Sequence, residues 1–273
     1  MGEVIHAFGS EPTKAATNKA AIIKAATAKA SKVPEVTLGF WLTNIAATAL
    51  GETWGDAVSA ALDFGFFSAT LTLGAVFAAA VTAQVRAQRF LPVWYWLAIA
   101  ATTTVATTLA DVADRSLGIG FTGGLLLLAS LFGASLWAWR RALGSLSIYR
   151  IDTARSERFY WTAIVLAQTL GMALSDWTTE VPGLDREASM MMFAALLAAM
   201  AVAYFRTSIS RTLLFWLAFV ATRPLGAVVG GLLDHSAQAG GMALSRGTTM
   251  MALAGVVLLC IVLFRQRAAD KSL

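Results

Sequence analysis

Four times along this 273-residue chain an aromatic residue is followed directly by tryptophan: Phe40-Trp41, Tyr95-Trp96, Tyr160-Trp161 and Phe215-Trp216. The intervals between the tryptophans are 55, 65 and 55 residues, so the first half recurs in the second with an offset of 120. Seven residues after each Trp stand Thr48, Thr103, Gln168 and Arg223, and ten after each stand Gly51, Ala106, Gly171 and Gly226. Fifteen after each stand Asp56, Asp111, Asp176 and Gly231. Self-similarity at a fixed spacing marks a repeat architecture, in which one unit cannot bury its own apolar face and must stack on its neighbours. The chain therefore reads as four copies of one unit.

Each unit contains a second apolar stretch, at about 62–83, 117–139, 188–205 and 243–264. A helix needs about 20 residues to cross a hydrocarbon core of about 30 Å, and each unit has room for two. Composition agrees, with 58% hydrophobic residues and only 14% charged, against about a quarter charged in soluble domains. Mean hydropathy is +0.67. The expected fold is an all-α membrane protein with eight transmembrane helices, of which 188–205 is the shortest. An even number of helices per unit makes the copies parallel, related by an axis along the membrane normal, in a pseudo-fourfold or a two-times-two arrangement. Residues 1–36 read as a polar Lys/Ala-rich tail, 37–150 as the first membrane half, 151–267 as the second and 268–273 as a short tail. Lys14, Lys19, Lys24 and Lys29 recur every five residues, which scatters them around a helix rather than along one face.

Basic residues concentrate in the tail and at the ends of the second helices, among them Arg86, Arg140, Arg141, Arg206 and Arg265. Acids show the opposite bias, with ten of the 16 inside the units, between their two helices or near that turn. The positive-inside rule then makes both termini cytoplasmic, with every unit entering from the cytoplasm and returning to it. A net charge of +5 distributed this way points to membrane orientation and not to nucleic acid. The single Cys260 excludes an intrachain disulfide and a multi-cysteine metal site.

The aromatic–Trp start, the small residue at the tenth position and the Asp at the fifteenth resemble a bacterial integral-membrane family catalogued as a repeat of unknown function, built of four tandem two-helix repeats. The likeness covers about residues 33–267 and extends to the segments 32–37, 110–118, 174–177 and 222–226. It implies the topology above, in a bacterial inner membrane, and no settled activity.

If Trp sits at the inner interface, where tryptophans anchor, the Asp fifteen residues on lies about 22 Å deeper, near the external turn. Ionisable groups at such depth usually face the bundle interior or a wet cavity. Glu52 with Asp56 (i,i+4) and Asp111 with Asp114 (i,i+3) share helix faces. Neighbouring carboxylates repel unless a proton or a cation sits between them. Glu52, Asp56, Asp111 and Asp176 are therefore candidate ligands for a hard divalent cation such as Mn²⁺, carried as substrate and not as a resident cofactor, and Asp114 would help bind or relay it. Thr103, Thr107 and Gln168 would line its path. The bland alternative is that the repeated Asp residues cap helix turns. Arg223, about 10 Å along its helix and followed by Pro224, needs an anionic partner. That partner is one of these acids; alternatively Arg223 binds an anionic substrate or repels the wrong cations, and in a cation carrier it would set local charge and gating. Met190, Met191 and Met192 face different directions on a helix and read as lipid-facing, while His235 reads as a surface residue.

No pattern for nucleotide binding, a catalytic triad or zinc stands out, so no enzymatic activity is expected. The first expectation is a secondary transporter for a small cation, with a divalent metal favoured. The alternatives are a proton-coupled carrier of a small organic or anionic solute, and a sensor, regulator or scaffold. The expected partners are the lipid bilayer, a small cation or solute, and a further copy of the chain.

Overall fold

The computed structural model describes residues 31–269 apart from 62–65, 88, 112, 114–116, 180–185 and 235–241. Within the helices, several side chains, those of Asp56 and Asp111 among them, also lie outside the description. Among the described residues eight α-helices follow in order: α1 Leu38–Ala61, α2 Phe66–Arg86, α3 Pro92–Asp111, α4 Gly120–Leu143, α5 Ala154–Thr179, α6 Arg186–Arg206, α7 Arg211–Asp234 and α8 Arg246–Leu263. Five of them (α3, α4, α6, α7 and α8) are long and apolar enough to cross a membrane. The shortest is α8, at 18 residues, and not α6, at 21. Ser245 accounts for the difference. Its side chain accepts the Thr248 backbone N–H and caps α8 there, so the apolar residues before it stay outside the helix.

The first helices of the four units form a closed ring, α1 against α3, α3 against α5, α5 against α7, and α7 back against α1. Each second helix packs mainly on the first helix of the following unit: α2 on α3, α4 on α5, α6 on α7, and α8 across the chain's ends on α1. The result is a pseudo-fourfold pinwheel. Buried positions make up 61% and 67% of the spans in α3 and α7 but only 17%, 6% and 17% in α4, α6 and α8, which separates an inner ring from an outer one.

Between lipid-exposed helices hydrophobicity gives no drive, so close packing has to hold them together. Glycine at the tenth position after Trp41, Trp161 and Trp216 supplies it. A Cβ placed on Gly51 would lie 2.8 Å from Thr103 Cβ, one on Gly171 2.7 Å from Arg223 Cβ, and one on Gly226 2.7 Å from Thr48 Cβ. In each case the tenth-position glycine receives the seventh-position side chain of a neighbouring ring helix. The periodic small residues are thus the seams of the ring, and only a residue without a side chain lets the backbones approach this far.

The aromatic pairs close one end of it. Phe40 meets Trp96 at 5.5 Å between ring centroids, Tyr95 meets Trp161 at 5.5 Å, Tyr160 meets Trp216 at 6.2 Å, and Phe215 meets Trp41 at 5.7 Å. Each unit's aromatic thus engages the next unit's Trp, all the way round. Trp139 of α4 adds a further contact on Trp216 at 6.1 Å. Such pairs contribute about 0.5–1.5 kcal/mol each beyond the area they bury. Trp96, Trp161 and Trp216 are buried and act as packing wedges between the units, while Trp41 is half-buried. The spacing of the repeat was legible, but which way the indoles turned was not.

Residues 31–36, which composition groups with the polar tail, belong to this closed end. Pro34 pairs with Ala268 in an antiparallel bridge, the Glu35 N–H donates to Arg267 C=O at 3.0 Å, and the Ala269 N–H to Val33 C=O at 2.9 Å. Beside this clasp, buried Lys32 donates to Glu157 Oε2 at 3.1 Å and to Val85 C=O at 2.9 Å. Gln266 reaches back into the ring, accepting from Trp96 Nε1 at 3.3 Å and donating to Thr43 at 3.0 Å.

Candidate functional site

Above the aromatic layer the ring becomes polar. The seventh-position residues Thr48, Thr103, Gln168 and Arg223 come one from each inner helix, and all four are buried. Most threonines of the ring satisfy themselves locally. Thr103 Oγ1 donates to Ile99 C=O at 3.5 Å and Thr107 Oγ1 to Thr103 C=O at 3.1 Å, the back-bonding by which a hydroxyl is carried inside an apolar helix.

Thr104 Oγ1 crosses from α3 to Gly51 C=O of α1 at 3.3 Å, and Arg223 reaches further, to all three other inner helices. Its Nη2 donates to Glu52 Oε2 of α1 at 2.5 Å, to Thr107 Oγ1 of α3 at 3.2 Å, and approaches Met172 Sδ of α5 at 3.5 Å. Glu52, Thr107 and Met172 each stand eleven residues after the Trp of their unit, one turn beyond the level of Arg223. One guanidinium from α7 therefore touches equivalent positions on all three other inner helices. In α7 itself the eleventh position is Ala227, which keeps that level clear for the long side chain. The guanidinium is fully buried, while Glu52 keeps 24% of its side chain exposed, so the pair lies at the edge of the sealed region.

The local sequence explains how Arg223 is held. Pro224 lies inside α7 and has no N–H to offer the carbonyl of Val220, four residues earlier. That carbonyl lies against Gly171 of α5, 2.6 Å from where a Cβ would stand. The turn carrying Arg223 is thus fixed by a glycine seam rather than by an unbroken helix ladder.

Not all of this polar capacity is used within the protein. Arg223 Nε and Nη1, Gln168 Oε1 and Thr48 Oγ1 are buried and have no hydrogen-bond partner among the described residues. Donors and acceptors of both kinds therefore converge from three of the four ring helices. A buried polar atom left without a partner costs about 1–3 kcal/mol, so a layer with four is a costly structural filler.

The carboxylates expected at the fifteenth position are less defined. Asp56 lies within α1, Asp111 is the last residue of α3, and Asp176 lies three residues before the end of α5. Asp56 and Asp176 are thus internal to helices and are not N-caps. Asp176 is half-buried. The side chains of Asp56 and Asp111, and all of Asp114 and His235, lie outside the described residues. Among the described residues no three His, Cys, Asp or Glu gather as a metal site. Glu52, paired in sequence with Asp56, is engaged by Arg223 instead. The Glu52–Arg223 pair spans 171 residues and is the first of the two partners expected for Arg223, one of the unit acids. Met191 and Met192 are exposed on α6.

No curated protein and no solved structure matches the chain. A family model described as Repeat of Unknown Function (DUF347) matches three times, over residues 39–90, 94–144 and 159–210, together more than half of the chain. Each match begins two residues before the Trp of one unit. The fourth unit, which carries Arg223 and Pro224, lies outside the matched spans. The chain is an all-helical membrane protein that belongs to the family of the Repeat of Unknown Function (DUF347).

Proposed function

We propose that the protein is a secondary carrier of a small solute bearing a carboxylate or comparable oxyanion, with Arg223 as the substrate contact and Glu52 as its exchangeable counter-ion. In this reading all eight helices cross a bacterial inner membrane, and the aromatic end with both termini faces the cytoplasm, as the basic residues at that end favour. The observation that carries it is the buried Arg223 guanidinium, which meets all three other inner helices through one nitrogen and leaves Nε and Nη1 without a partner among the described residues. A guanidinium grips a planar oxyanion bidentately through Nη2 together with Nε or Nη1, so the grip requires Glu52 to give up Nη2. Gln168 Oε1 and Thr48 Oγ1 supply the complementary polar atoms. Protonation of Glu52 would free Arg223 for the solute, which couples the carrier to protons. Asymmetry among the four units, with charge contributed by α1 and α7 alone at this level, favours a carrier over a symmetric pore.

The divalent-cation reading has one observation of its own. Asp56, Asp111 and Asp176 all stand in the last six residues of inner helices. There the helix dipole disfavours a carboxylate unless a cation or proton offsets it. With Glu52 held by Arg223, a cation site would rest on these three.

Flux into proteoliposomes separates the readings. The full chain, R223Q and D56N are each loaded with a pH dye and exposed to a panel of small carboxylates, small cationic and neutral solutes, and divalent metals. Carboxylate-dependent proton movement, lost in R223Q and kept in D56N, supports the proposal. Metal flux lost in D56N supports the cation reading. A folded protein that moves neither sinks both.

A further inference from the structure

The pinwheel is not equally tight all round. Of the four outer helices α6 makes the lightest packing on its inner partner, and beside it a crevice of about 670 Å³ opens between α1, α6 and α7. Its walls are apolar: Trp41 and Ile45 of α1, Leu197 and Ala201 of α6, Leu214 and Ala218 of α7. It begins at Arg211, on the aromatic end, and runs inward to Thr222. Those eleven residues of α7 correspond to about 16 Å, half of a hydrocarbon core of about 30 Å. The crevice is therefore one leaflet deep. Its floor offers no unmet polar group, since Thr222 Oγ1 donates to Ala218 C=O at 2.6 Å.

The mouth is different. The Arg211 guanidinium lies 4.5 Å from the centroid of the Tyr204 ring, and its Nη1 donates to the Tyr204 hydroxyl at 2.9 Å. No carboxylate among the described residues pairs with Arg211, so a fixed positive charge stands at the entrance of an apolar slot. Tyr149 lies at the same mouth. Burial first, then Tyr204 and Glu35 against the opposing Arg211, pushes its phenol above the ordinary value, which keeps the hydroxyl protonated as a donor.

We propose that this crevice holds one anionic phospholipid, its phosphate on Arg211 and Tyr149 and one acyl chain along α6 and α7 down to Thr222. The slot faces sideways, where lipid is the solvent. Its length matches one leaflet, and a cation at the interface with an apolar wall below it complements an anionic headgroup and its chain. This site is separate from the axial layer at Arg223 and does not depend on what that layer carries.

Native mass spectrometry of the full chain, released from detergent with dioleoyl phosphatidylglycerol or dioleoyl phosphatidylcholine, tests it. Wild type retains one phosphatidylglycerol in preference to phosphatidylcholine by about fivefold, the factor one basic residue supplies against an anionic headgroup. R211Q abolishes the preference. A201F, which fills the crevice from an exposed position on α6, reduces retention of both lipids. R140Q, at an exposed position on α4 at the same end, leaves the preference intact. Equal retention of the two lipids by wild type, or a preference that survives R211Q, overturns the proposal. So does displacement of the lipid by excess inorganic phosphate, which would make the mouth a free-anion site. A201F that breaks a dimer without changing lipid retention would assign the crevice to a second copy of the chain and equally overturn it.

Discussion

Replacing Gly51 by alanine tests the seam on which the ring depends. An ideal Cβ at Gly51 would lie 2.1 Å from the carbonyl oxygen of Ala100 and 2.8 Å from Thr103 Cβ. The first of these is backbone, so no side-chain rotation relieves the clash. α1 has to retreat from α3 by more than an ångström at that level. Overpacking of this kind costs about 1–3 kcal/mol. The Thr104 Oγ1 bond to Gly51 C=O, already 3.3 Å, is lost with it and adds about 1 kcal/mol. Alanine's better helix propensity returns about 1 kcal/mol. The net loss is about 1–3 kcal/mol, which for a chain of this size lowers the apparent Tm by about 3–10 °C. Tryptophan fluorescence in detergent micelles, scanned at two heating rates because membrane proteins unfold irreversibly, measures it. G255A is the comparison, since a Cβ on Gly255 of α8 meets nothing within 4 Å and should melt at or slightly above wild type. If G51A melts alongside G255A, the glycine seams do not hold the ring and the reasoning fails.

Three further outcomes follow from the same packing. E52Q leaves the Arg223 guanidinium without its carboxylate. Because Glu52 keeps 24% of its side chain exposed, the loss stays near the lower edge of the range for a broken buried pair, about 2–3 kcal/mol, and E52Q/R223Q recovers most of it in a double-mutant thermal cycle. Y95F removes one partner of the buried Tyr95–Tyr160 hydroxyl pair, 2.5 Å apart, and costs about 1–2 kcal/mol. Y95F/Y160F melts above Y95F, because no hydroxyl is left unmatched. K32M breaks the buried Lys32–Glu157 bridge at the clasp and lowers stability by about 3 kcal/mol. Equal melting of K32M and wild type would show the clasp to be peripheral.

Much of the architecture was legible because it is local. Twenty-residue apolar runs specify helices, the recurring Trp specifies the copy number, and equal spacing from Trp puts equivalent residues at equal heights along parallel helices. Those heights brought Thr48, Thr103, Gln168 and Arg223 to one level before any coordinates. The sequence also marked Arg223 as needing an anionic partner. It left Glu52 coupled to Asp56, because neighbours at i,i+4 are what a single helix displays, whereas the partner on another helix is 171 residues away.

The sequence by itself thus determined the unit, its four copies, the height of every polar residue along the helices and the segregation of basic residues to one end. Only the tertiary structure decided azimuth and neighbour: that each second helix leaves its own unit for the next, that α8 closes the circle on α1, that the indoles turn inward, and that Arg223 points across the ring to Glu52. The physical reason is that rise per residue is a property of one helix. Which faces meet depends on where two backbones can approach, and that is settled between glycines and side chains in different copies, such as Gly171 and Arg223 or Gly226 and Thr48.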